Sequence, residues 1–313
     1  MHSEKKRRIV YTPEYGVNIG AHVFPTEKYA LVKERLIAEN LARADDFIEP
    51  LEAQDDDLCL VHSSGYVHKL TTGTLSQQEI MKIELPYSRE LVRAFRLCAG
   101  GTTLACRIGL ETGLGVHLGG GFHHAFPDHG EGFCVINDIA VGAKTIQKHG
   151  WAEKVLIVDC DVHQGNGTAF IFNDDNSVFT FSIHQTDNYP FHKPPGNLDI
   201  DLDDGCTDEQ YLDALSHNLP GIISDFSPDM IIYVAGADPY KYDQLGGLDL
   251  SIEGLQKRDQ YILGLALDSK IPIVITLAGG YAQKLEDTVQ IHVNAIKTAL
   301  EMGFQKKDGR ENE

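Results

Sequence analysis

The chain has 313 residues, 42% of them hydrophobic and 23% charged, and carries a net charge of −19. That apolar content excludes wholesale disorder. The negative balance speaks against nucleic acid or an anionic membrane as partner, since both need clustered Lys and Arg.

In chain order, the basic start MHSEKKRRIVY runs into a strand predicted at 8–12, with no apolar stretch behind it to make a signal peptide. Helical patterns are predicted at 29–44 and 89–110, then a strand at 114–118, a helix at 137–150 and strands at 154–161 and 177–184. A helix at 208–223, a strand at 229–238, a helix at 252–269, a strand at 271–280 and a helix at 286–302 follow. Strands that alternate with helices, and that are rich in Val and Ile, predict a three-layer α/β/α sandwich around a mostly parallel sheet, one domain over 1–313. The polar end KKDGRENE predicts a flexible tail from about 305 to 313. Runs such as IPIVITLA are too short to span a bilayer. Six cysteines without a C-x-x-C pair read as reduced thiols, the usage of a cytoplasmic protein.

Five of the strand cores end in polar or glycine-rich segments: HLGGGFHH, DCDVHQGNG, SIHQTDNYP, GADPY and LAGGY. In open parallel sheets ligands bind at the carboxyl ends of strands, so these loops are expected to converge. Asp161 and His163 are two apart after a strand, a spacing that puts both side chains on one side. Asp238 follows the apolar run MIIYVAGA. Each has an ordinary explanation alone, as a turn residue or a helix cap. Together they offer three ligands and an open position, the pattern of a catalytic zinc site. Two carboxylates offset the charge of Zn²⁺, so such a site needs a separate base. His123 and His124 can supply it, with Asp159 and Asn166 as orienting partners.

These motifs, in this order, resemble the zinc-dependent histone deacetylase family of the arginase-deacetylase fold, from about residue 8 to about residue 300. GGGFHH, GEGFC, DVHQGNG and DQLGGLDLS are most similar to its class IV branch. The resemblance implies that Asp161, His163 and Asp238 hold zinc. It implies His124 as general base, His123 as its more electrostatic neighbour, and Tyr281 as hydrogen-bond donor to the oxyanion. Asp159 paired with His123 and Asn166 with His124 would favour imidazolium at the first and a neutral ring at the second. Phe133 and Gly132 would form one wall of an acyl-lysine channel, with His184 and Tyr189 opposite and Gly279 and Gly280 beside Tyr281. Potassium is implied behind the zinc, held by Asp159, Ser182, Ile183 and the backbone of Asp161 and His163.

The resemblance has gaps. The family's aspartate that grips the substrate backbone has no clear match in SQQEIMKIELPYSRE (76–90). HVFPTEK (22–28) is similar to the lining of an internal pocket, where Lys28 could meet released acid. His62, His68, Asp128 and His129 read as ordinary core or solvated residues, Cys160 as a small core residue, and Trp151 as unrelated to the site. The expected activity is hydrolysis of N6-acyl-lysine, acetyl or longer, in proteins or peptides. Alternatives are an acetylpolyamine amidohydrolase, a manganese ureohydrolase, which Asn166 disfavours for want of a second carboxylate, and a non-catalytic acyl-lysine reader.

Overall fold

Uninterrupted runs such as VLIVD and MIIYV are stable as strands only when both faces are covered. The structure, a computed structural model describing residues 7–304, covers them. The predicted tail lies outside the described residues. The strands are β1 (Ile9–Val10), β2 (Phe47–Ile48), β3 (Leu114–His117), β4 (Val155–Asp159), β5 (Val178–Gln185), β6 (Leu198–Leu202), β7 (Met230–Val234) and β8 (Ile273–Thr276). They form one eight-stranded sheet in the order β2-β1-β3-β8-β7-β4-β5-β6, and every pairing is parallel.

The helices are α1 (Lys28–Ala38), α2 (Asp55–Leu58), α3 (Ser64–Thr72), α4 (Gln77–Ile83) and α5 (Arg89–Thr112). After them come α6 (Asp138–Lys148), α7 (Asn166–Phe172), α8 (Asp208–Phe226), α9 (Ile252–Asp268) and α10 (Leu285–Glu301). Alternate residues of each central strand feed two apolar cores. Val155, Ile157, Ile232 and Val234 pack with α1, α5 and α6, whereas Leu156, Val158, Ile231 and Tyr233 pack with α8 and α9. This is the three-layer architecture expected. All six cysteines are free thiols, and only Cys59 is exposed. No helix among the described residues is long and apolar enough to cross a membrane.

Several boundaries differ from the sequence expectation. The helix expected to run to residue 44 stops at Ala38, and Asn40 takes a left-handed φ of 57° that ends it. The strands stop at Asp159, Val234 and Thr276, which leaves residues 160–161, 235–238 and 277–280 in loops. β6 was not anticipated, because LDIDL is a half-exposed edge with little apolar signal.

Candidate active site

Four strands, β3, β8, β7 and β4, are consecutive in the sheet, and the loops at their carboxyl ends carry the candidate residues. The loop after β3 is pinned by buried Asp138, which accepts the backbone N–H of Gly121 at 3.1 Å and of Phe122 at 2.8 Å, and the Thr102 hydroxyl. Gly121 has φ 90°, and a Cβ there would come within 2.5 Å of Ala278. The glycines thus let this loop lie against the one after β8, joined by Leu277 N–H to Gly119 O and Ala278 N–H to Gly120 O.

β4 ends at Asp159, so strand alternation does not orient Asp161 and His163. A bend does: Asp161 Oδ1 accepts the His163 backbone N–H at 3.1 Å and lies 2.9 Å from its Nδ1. Asp238 Oδ2 is 3.6 Å from the same Nδ1. Ligand atoms of Asp161, His163 and Asp238 all lie within 4.8 Å of one another, and all three residues are buried. Asp238 Oδ1 accepts the Val162 N–H at 2.9 Å, while Oδ2 is buried with no hydrogen-bond partner. Burial and the neighbouring charge of Asp161 push the Asp238 carboxyl well above the carboxylate range. A Cβ at Gly279 would fall 1.8 Å from Asp238 Oδ2 and 2.5 Å from Asp161 Oδ2. An orphaned carboxylate oxygen, one imidazole and two carboxylates over a side-chain-free floor fit a divalent cation of the zinc kind. Beneath them Arg258, wholly buried on α9, donates to Gly236 O at 2.7 Å and Cys160 O at 3.3 Å, the backbone just ahead of two of these residues.

The twin histidines have different partners. His123 Nδ1 is 2.6 Å from Asp159 Oδ2, and His124 Nδ1 is 2.7 Å from Asn166 Oδ1. Burial works against a charge on His123, but Asp159 and Asp161 outweigh it and raise the ring to about 9. On His124 burial and the positive neighbours His123 and His163 act together and hold the ring well below its ordinary value. With Nδ1–H given to Asn166, the His124 lone pair is on Nε2, 3.1 Å from His123 Nε2. Asp243 accepts the Tyr281 backbone N–H at 2.6 Å, and burial followed by the charges of Asp161 and Asp238 keeps the Tyr281 phenol protonated.

Above these groups is a cavity of about 180 Å³. His124, His163 and Tyr281 are at its buried end; Gly132, Phe133, Tyr189, Leu245, Asn188 and exposed Glu84 also line it. Phe133 holds φ 64°, uncommon for a non-glycine residue, and its ring centroid is 5.9 Å from that of Tyr281. Tyr189 meets the His124 ring edge-on at 4.9 Å. A smaller void of about 20 Å³ lies against Asp161, Ala278, Gly279 and Phe24. Lys28 is buried nearby and donates to Ala278 O at 2.5 Å; burial, offset by Asp238 and Asp161, brings its amine down to about 8.

His184 does not line this cavity, contrary to expectation. It lies next to Ser182 and β6 instead, with Nδ1 2.9 Å from Ser182 Oγ and Nε2 3.2 Å from Asp201. Gly280 is also absent from the walls, and its Cβ position faces Thr288 and Ala237. Ser182 is beside Asp159 in the β4–β5 register, with Ile183 next to it in β5. His62 is a core residue between Phe126 O and the Asn137 N–H, whereas His68 is exposed. Asp128 is exposed, but His129 is less solvated than expected, because it lies 3.3 Å from Glu131.

Sequence reasoning missed Glu84, Glu131, Asp138, Asp243 and Arg258. Glu84, within IELP, is the left-handed cap of α4 and lines the cavity. Arg258 and Asp259 sit in an ordinary helical pattern, and nothing in it signals a buried pair.

A histone deacetylase domain profile matches residues 22–296. The chain belongs to the histone deacetylase family. An uncharacterized protein of Picosynechococcus is 40% identical over 285 residues, covering 91% of this chain and 95% of that protein. Histone deacetylase 2 of Arabidopsis thaliana is 30% identical, covering 96% and 80%. The acetoin utilization protein AcuC of Staphylococcus aureus is 31% identical, covering 83% and 72%. The crystal structure of the HDA15 HD domain superposes with a TM-score of 0.79 at 26% identity, covering 95% of this chain and 88% of that one. Membership of the family supports a deacetylase-type hydrolase.

Proposed function

We propose that this histone deacetylase relative hydrolyses the amide of an N6-acyl-lysine in a protein or peptide, using zinc held by Asp161, His163 and Asp238. One observation carries this reading: His124, Tyr281 and His163, the last grouped with Asp161 and Asp238, line one narrow cavity. A reader of acyl-lysine would need none of the three.

Bound there, zinc supplies Lewis acidity to the scissile carbonyl and to the attacking water. The chain supplies the rest. Phe133 and Tyr189 enclose the aliphatic stem of the lysine, and the exposed carboxylate of Glu84 accepts a backbone N–H of the substrate. His124 Nε2 takes a proton from the attacking water, while His123, charged through Asp159, stabilises the negative charge that develops. Tyr281 donates its O–H to the carbonyl oxygen as the carbon becomes tetrahedral. The C–N bond then breaks, and His124 returns the proton to the departing amine, giving free lysine and a carboxylate. The modest cavity and the void beside it favour a short acyl group over a fatty one. Potassium near Asp159 and Ser182, the class IV kinship and a cytoplasmic setting suited to six free thiols belong to the same proposal.

The test is turnover by zinc-loaded protein of lysine peptides bearing acetyl through myristoyl groups, with acetylspermidine alongside. Peptide turnover falling with acyl length is the expected result. Turnover of acetylspermidine alone would replace it with the polyamine reading, and no turnover with zinc bound would leave a binding module.

A further inference from the structure

We infer that Glu131 is a positioning residue: its carboxylate fixes the orientation of the Asn166 amide, and through that amide the tautomer of His124. An amide can turn either end toward a partner. If Asn166 presented Nδ2 to His124, it would donate to Nδ1 and drive the imidazole proton onto Nε2, the atom that has to accept one. In the structure Asn166 Oδ1 faces His124 Nδ1 at 2.7 Å and also accepts the Gly167 N–H at 3.0 Å. Its Nδ2 donates to Glu131 Oε1 at 2.6 Å. A carboxylate only accepts, so the flipped amide would set oxygen against oxygen and is rejected.

Glu131 is itself held on several sides. Tyr189 donates its O–H to Oε1 at 3.2 Å, and His129 Nε2 lies 3.3 Å from Oε2 with its Nδ1 2.7 Å from Asp128. Burial opposes the charge, but the donors His129, Asn166 and Tyr189 outweigh it and keep the carboxyl ionised. The tight turn that carries it is bound to the end of α4 by Gly132 N–H to Lys82 O and Phe133 N–H to Ile83 O. The contrast with His123 is instructive. Asp159 touches its imidazole directly and favours the protonated ring, whereas the Glu131 charge stands one amide further from His124. The spacer transmits orientation while leaving that ring free to act as a base.

The role rests on the proposed hydrolase function, and the experiment separates the two because the tautomer can be read without substrate. In protein labelled with ¹⁵N-histidine, the His124 signal, assigned by its loss in His124→Gln, is expected to report Nδ1–H. Glu131→Gln keeps the size and hydrogen-bonding capacity of the side chain but accepts either amide orientation. It should therefore resemble Glu131→Ala: with only the Gly167 N–H still holding Oδ1, part of the Nδ1–H signal is lost and kcat falls several-fold, with KM within about threefold. Asn166→Asp combined with Glu131→Gln restores an acceptor-only neighbour to His124, and should recover the Nδ1–H signal, while the direct carboxylate raises the ring and moves the acidic limb of the pH–rate profile upward. An Nδ1–H signal and kcat unchanged in Glu131→Gln would overturn the inference, as would a double variant whose Nδ1–H signal is no better than that of the single. A tautomer shift in a protein that turns over no acyl-lysine would uphold the role of Glu131 and sink the proposed function.

Discussion

The two ends of the sheet treat charge in opposite ways. Near the amino ends of β1 and β3, Arg8 pairs with Glu111 at 2.5 Å, and both side chains stay partly in water. Such a pair contributes roughly 0–1 kcal/mol. At the carboxyl ends, Lys28, Asp138, Asp159, Asp161, Asp238 and Arg258 are all buried. Burying a charge costs several kcal/mol unless it is paired and hydrogen-bonded, and here one carboxylate oxygen has no hydrogen-bond partner. The apolar layers between the ends therefore stabilise the fold, while the carboxyl end gives up stability to keep these charges buried together.

Asp238→Asn would break this contrast most completely. Turnover is expected to fall by about a thousandfold or more, as expected when a metal ligand is lost. The metal-free variant should unfold at the same temperature as wild type or higher, because a crowded buried carboxylate with an oxygen lacking a hydrogen-bond partner is gone. Zinc at about a hundred times its Kd should raise the wild-type Tm by roughly 5 °C and leave the variant unmoved. A wild-type-like response to zinc in calorimetry would contradict the ligand assignment. Ile232→Ala probes the other side of the comparison. It empties a fully buried site in β7 and should cost about 2–5 kcal/mol in urea unfolding, with kcat per folded molecule retained. Tyr281→Phe should lower kcat by about a hundredfold with little change in KM or Tm, measured by steady-state kinetics on an acetyl-lysine peptide.

The smallest effect is expected away from the sheet, at the start of α4. Glu79 closes a capping box with Ser76 and accepts from Lys69 at 2.8 Å. The Lys69 and Ser76 hydrogen bonds bring its carboxyl down to about 2. A lowered folded-state value stabilises above the unfolded value near 4.5, and that contribution drains as pH falls toward 2. Glu79→Ala should cost about 1 kcal/mol near neutral pH, and the gap to wild type in urea midpoint should narrow between pH 6 and pH 3.5.

The layers and the central strands were legible because Val- and Ile-rich runs alternate with helical periodicity, and the converging loops because polar residues crowd the ends of those runs. What remained hidden depends on contacts between distant segments. Nothing in IELP or HGEGF says that α4 docks on the turn after the twin histidines, so Glu84 and Glu131 were unreadable as neighbours of the cavity. His184 was misplaced for a related reason: its ring is taken up by Ser182 in its own strand and Asp201 on β6, a strand the sequence did not reveal. Asp161 and His163 meet, but by a bend rather than by the alternation that suggested them.

The strand order has a bearing on how the molecule comes into being. β8 inserts between β3 and β7, and Tyr281 and Gly279 follow it in the loop that completes the site. A ribosome must deliver residue 281 before the twin histidines at 123 and 124, made more than 150 residues earlier, can face a finished cavity. A nascent or prematurely terminated polypeptide therefore carries the histidines and both carboxylates with no working centre, and catalytic competence arrives only with the last parallel pairing.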